Sequence, residues 1–134
     1  MAAAAREARS LLLEYGLVAR PELSSSAWDP ALLLLDELVT NAVLHGSGPV
    51  HVRIFDQADL FRVEVEDQGA QMPEPQPVDL LADHGRGLLL VDQLASTWGY
   101  VPLEPTPAAL GAATGKTVWF ELPPLALPEA RDAC

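Results

Sequence analysis

A chain of 134 residues, 49% of them hydrophobic, is long enough for one domain with a real core and too apolar for a disordered tail. Nineteen acidic side chains against eight basic ones give a net charge of −11, which excludes the cationic surface needed to bind nucleic acid or an anionic membrane. The one cysteine is the last residue, Cys134, so no internal disulfide or cysteine zinc site can form, as suits a reducing cytosol.

Residues 2–15 have a helical pattern, with Ala5, Ala8, Leu12 and Tyr15 on one stripe and Gly16 as the expected stop. Arg6, Glu7 and Arg9 interrupt any signal-peptide core there. Fully apolar runs such as 31–35 are far too short to span a bilayer. A cytoplasmic protein is expected. Residues 20–28 read as a polar connector with three serines.

The second helix, 29–45, organises the rest. Asp29 is a natural N-cap, Pro30 fits the first helical position, and Gly46 suits a left-handed stop. Leu34, Leu35, Leu38 and Ala42 belong to an apolar rod expected to be buried nearly all round. Glu37, Asn41 and His45 recur every four residues as its one polar stripe, and polar groups placed there need partners. The pattern is that of a helix facing a ligand.

After a turn at Ser47-Gly48-Pro49, residues 50–55 and 60–66 alternate as an antiparallel hairpin, buried through Val50, Val52 and Ile54 and through Phe61, Val63 and Val65. The second strand runs into Asp67-Gln68-Gly69. Residues 71–83, with Pro73, Pro75 and Pro77, have no period and read as an exposed loop. Gly85-Arg86-Gly87 opens a second apolar helix over 88–97, Tyr100-Val101 begins a short strand, 102–115 is a Pro/Ala/Gly connector, and 117–122 is the clearest last strand. The tail, 123–134, is expected to be loose, leaving 1–122 as the domain. This order predicts an α+β two-layer sandwich, a mostly antiparallel sheet with helices on one face.

Four segments stand out in this frame: Glu37-x-x-x-Asn41-x-x-x-His45-Gly46, Asp67-x-Gly69, Gly85-Arg86-Gly87-Leu88 and Gly115-Lys116-Thr117. In this order and on these elements they resemble the four nucleotide-binding boxes of the GHKL ATPase superfamily, which holds gyrase B, MutL and histidine-kinase catalytic domains. The runs Glu37-Leu38-Val39-Thr40-Asn41-Ala42-Val43-Leu44-His45-Gly46 and Gly85-Arg86-Gly87-Leu88-Leu89-Leu90-Val91 look most like the small anti-sigma-factor serine/threonine kinases. So does the ending Gly115-Lys116-Thr117-Val118-Trp119-Phe120-Glu121-Leu122.

That resemblance implies the Bergerat ATP-binding fold, with ATP and Mg2+ as cofactors. It assigns Asn41 to the metal, and Glu37 to orienting or deprotonating the attacking hydroxyl or water. Asp67 would accept from the adenine amino group, Gly69 would let the backbone approach the ring, and Thr117 would support the adenine end. Gly85, Arg86, Gly87 and Leu88 would open a helix whose free N–H groups suit phosphates, with Arg86 and Lys116 as cationic partners. His45 fits the pattern but reads better as a helix-terminal structural residue. Alone, Asp-x-Gly or Gly-x-Gly is a common turn; the set of four is specific.

The implied function is a kinase that sequesters a sigma factor and phosphorylates an antagonist protein, often as a homodimer. Two other readings stay open: an ATP-dependent binding module with little catalysis, and a detached histidine-kinase catalytic domain, which ranks lower because the boxes use nearly all the chain. Ala70-Gln71 stands where the family has its second glycine, and the lid that follows is short and proline-stiffened; both weigh against turnover more than against binding. The chain also leaves little room for the edge strand that relatives often carry before the first helix.

Overall fold

The computed structural model describes residues 2–69, 94–103 and 115–125. Helix α1 (Ala2–Ala19) is followed by a 3-10 turn (Ser25–Trp28), helix α2 (Asp29–His45) and strands β1 (His51–Asp56), β2 (Phe61–Asp67), β3 (Thr97–Pro102) and β4 (Lys116–Leu122). The four strands form one open antiparallel sheet in the order β1-β2-β4-β3, so the last strand lies between the hairpin and β3. Helix α2 packs on β2 and β4, and α1 packs on α2. This is the expected α+β architecture. Among the described residues no helix is long and apolar enough to cross a membrane.

Period-two alternation sends β2 and β4 residues to two different environments. Phe61, Val63 and Val65 on β2, with Val118, Phe120 and Leu122 on β4, are buried under the helices. The helices close the core with Leu12, Leu34, Leu35 and Val39. Val50, Val52 and Ile54 are only partly buried, because β1 is an edge strand.

The opposite face carries a ladder of charge. Arg53 reaches Glu64 and Glu66, and Arg62 reaches Glu64 and Glu121, each at 2.7–3.1 Å. The Arg62 guanidinium also lies 4.1 Å over the Trp119 ring.

Several expectations change in detail. Gly16 does not stop α1; the helix runs on to Ala19. A Cβ at Gly16 would lie 2.8 Å from the Trp28 ring, so the glycine is a notch for a buried tryptophan. The serine connector contains the 3-10 turn, and its Trp28, not Asp29, holds the N-cap position of α2 without a side-chain cap. Asp29 sits in the first turn, where its charge complements the helix dipole.

Helix α2 is not buried all round. Leu33 is 42% exposed, since α1 and the sheet cover only part of the circumference. Gly46 is extended, at φ −98° and ψ −162°, and not left-handed. The expected helix over 88–97 stops short of Thr97, where β3 begins; residues 88–93 lie outside the described residues, as do 70–87 and the connector 104–114. Leu125 packs against the core and its carbonyl accepts from Arg20 at 2.9 Å, so packing continues past Leu122; residues 126–134 of the expected tail are outside the described residues.

Candidate functional site

The C-terminal end of α2 meets the end of β2. Asp67, the last residue of β2, lies on the inner face by alternation and is 1% exposed. Its Oδ1 accepts from the Gly69 N–H at 2.7 Å and from the Lys116 ammonium at 3.0 Å. Lys116 opens β4 directly opposite Asp67 in the sheet register and is 4% exposed.

Glycine makes this approach feasible. A Cβ on Gly46 would collide with the Asp67 carboxylate and with the Ala42 carbonyl oxygen. A Cβ on Gly69 would lie 2.6 Å from the Gly46 Cα. A hydrogen bond from the Gln68 N–H to the Ser47 carbonyl, 2.8 Å, ties the two loops together. Gly46 and Gly69 thus face each other over Asp67. The close approach seen at Gly69 is to Gly46.

From this junction α2 runs back past the other candidates. At about 1.5 Å per residue, Asn41 stands roughly 7.5 Å and Glu37 roughly 13.5 Å along the axis from Gly46. Both are half-buried on the stripe they share with exposed Leu33. His45 is exposed in the last turn, where a basic residue suits the helix dipole. Among the described residues no group of three or more His, Cys, Asp or Glu could hold a metal ion.

The structure therefore brings together Asp67, Gly69 and Lys116, with Asn41 and Glu37 in line along one helix. Thr117 is not brought to Asp67. It is one residue after Lys116 on β4, so its side chain is on the charged outer face with Trp119 and Glu121, opposite Glu66. Lys116, expected among the phosphate partners, has its ammonium on Asp67. Gly85, Arg86, Gly87 and Leu88 lie outside the described residues, with Ala70 and Gln71. Gly46 was read as a helix stop alone; its place beside Asp67 could have been inferred only from the long-range packing of α2 on β2.

A family model described as a histidine kinase-like ATPase domain matches residues 1–111. Among solved structures, the histidine kinase domain of a blue-light activated histidine kinase from Erythrobacter litoralis EL346 is similar at 24% identity and a TM-score of 0.48. The alignment covers 72% of this chain and 44% of that one, so the chain spans less than half of that relative's length. A search of curated proteins finds no significant match.

Proposed function

The chain belongs to the histidine kinase-like ATPase domain family, and from that premise we propose that it is a serine/threonine kinase that sequesters a sigma factor and phosphorylates that factor's antagonist with Mg2+-ATP. One observation carries the reading: Gly46, Asp67 and Gly69 meet at one end of α2, and Asn41 and Glu37 follow in line on the same helix. A nucleotide laid along α2 would have its base held by Asp67 and its phosphates served by Asn41 and Glu37.

Each residue then has a physical task. Asp67 accepts from the base amino group. Asn41 would hold a magnesium ion through its amide oxygen, a hard ligand of the kind that ion prefers. When bound, the ion would supply charge neutralisation at the phosphates. Glu37 orients the attacking serine hydroxyl and takes its proton as the oxygen bonds to the γ-phosphorus and ADP leaves. Gly85, Arg86, Gly87 and Leu88 supply the phosphate cradle in this reading, by their resemblance to the family's boxes. The protein would work in the cytoplasm as a homodimer, with residues 1–122 as its ATP-binding domain.

The second reading, an ATP-dependent binding module with little catalysis, is favoured by Ala70-Gln71 in place of the second glycine. Calorimetric titration with ATP, with and without Mg2+, on wild type and Asn41→Ala tests the site. Saturable binding that needs both Mg2+ and Asn41 is expected; a folded protein that binds no ATP overturns both readings. Phosphate transfer to serine of a cognate antagonist then separates kinase from module.

A further inference from the structure

Lys116 breaks the pattern of its strand. The other inward residues of β4 are Val118, Phe120 and Leu122, all buried, and Lys116 is buried with them. Its ammonium is on Asp67, directly opposite in the register of β2 and β4. A buried ion pair returns about what its desolvation costs, and an apolar pair would hold two strands together at least as well. What the pair adds over an apolar one is a fixed geometry for its charged groups.

The Asp67 carboxylate is held by contacts of two kinds. The Gly69 N–H, 2.7 Å from Oδ1, belongs to the same loop, and an Asp bonded to the backbone two residues on is a common local turn that moves with its own segment. The Lys116 ammonium, 3.0 Å from the same oxygen, comes from 49 residues away and ties the carboxylate to the sheet. Gly46 closes another side, with no room for a Cβ between its backbone and the carboxylate. Removing the ammonium would leave a buried charge whose remaining hydrogen bond, among the described residues, is the local one. Such a charge escapes its cost by turning towards water or by taking up a proton. Either change would take away a fixed acceptor.

We propose that Lys116 is a positioning residue, which holds the Asp67 carboxylate in the orientation that accepts from the 6-amino group of adenine. The inference rests on the reading of Asp67 as the base-recognising group. Lys116 acts through that carboxylate and not on the phosphates, to which its ammonium is not free to turn while it is paired.

The test compares ATP with purine riboside 5′-triphosphate, which lacks only the 6-amino group. Wild type should bind ATP about ten- to a hundredfold more tightly than the analogue, the scale of one hydrogen bond to a charged group. In Lys116→Met that preference should shrink to within about threefold, with the affinity for the analogue nearly unchanged. A merely structural role would weaken both nucleotides alike. A folded Lys116→Met that keeps the wild-type preference therefore overturns the inference and leaves the ATP site intact, as does an equal loss of both affinities.

If Lys116→Met does not fold, Asp67→Asn and Asp67→Asn/Lys116→Met take its place, since the double variant buries neither charge. The two should bind ATP equally, because Lys116 then has no carboxylate to hold; weaker binding by the double variant overturns the inference. A wild-type protein that does not distinguish ATP from the analogue has no amino-group contact at Asp67, and the site reading then fails together with the inference.

Discussion

Gly46 and Gly69 stand back to back, so close that a Cβ on Gly69 would lie 2.6 Å from the Gly46 Cα. One comes from the end of α2 and the other from just past β2, and the carboxylate of Asp67 fills the space beside them. Neither position has room for a methyl group without parting the helix from the strand. We expect Gly46→Ala and Gly69→Ala each to cost about 1–3 kcal/mol, the usual scale of overpacking. The double variant should cost less than the sum, because the first methyl already opens the gap that the second needs. Urea unfolding of the three variants measures this; strict additivity would mean that the two contacts are independent.

Much of this was legible in sequence, because period-two and period-3.6 patterns report local burial. The hairpin, the order of elements and the inward set Phe61, Val63 and Val65 follow from alternation alone. What was missed depends on registry and on distant packing. Thr117 and Lys116 are neighbours in sequence but lie on opposite faces of β4, and only the pairing of Asp67 with Lys116 shows which one shares the buried side. Gly46 reads in sequence as a helix stop; it caps α2, and its contact with Asp67 comes from the packing of α2 on β2. Gly16 matched a stop signal, yet Trp28 twelve positions later explains it.

That reading of Gly16 can be tested directly. In a helix interior alanine is favoured over glycine by about 1 kcal/mol. Here the new methyl would meet the Trp28 ring at 2.8 Å, and that ring is 3% exposed, with Tyr15 and Phe61 against its faces and edges. The clash should outweigh the propensity gain, so Gly16→Ala is expected to lower stability by about 1–2 kcal/mol net. It should also shift tryptophan fluorescence. A stabilised variant with an unchanged spectrum would show that Trp28 does not pack there.

The role proposed for Glu37 separates binding from transfer. About two turns along α2 from the end that meets Asp67, it is too far to serve a base held at that carboxylate. Glu37→Ala should therefore leave the ATP dissociation constant within about threefold while reducing serine phosphorylation by roughly 10²–10⁴-fold, the range for loss of a general base. Single-turnover transfer at saturating ATP is the measurement. Transfer that is unchanged removes Glu37 from the mechanism, and an equal loss of affinity makes it a binding residue.

The charged outer face gives the protein a pH signature. Glu121 is held below the ordinary carboxylate value of 4.5 by hydrogen bonds from Arg62 and Thr97. At Glu64 partial burial pushes the other way, but the hydrogen bonds from Arg53 and Arg62 prevail and it too is lowered. Both are depressed on folding, so their stabilising contribution is complete above pH 4.5 and fades as the pH falls through the folded-state values. These pairs are part-exposed, and each is worth less than about 1 kcal/mol. Arg62 serves both carboxylates and the Trp119 ring. Arg62→Ala should then destabilise by about 1–2 kcal/mol near pH 7, with ion pairs and the ring contact together. Below the carboxylate range the gap to wild type should narrow to what the ring contact alone provides. Urea midpoints of both proteins across the acid range decide it: a gap that stays constant would mean that the ladder contributes no ionic stability, and that Arg62 acts only by covering Trp119.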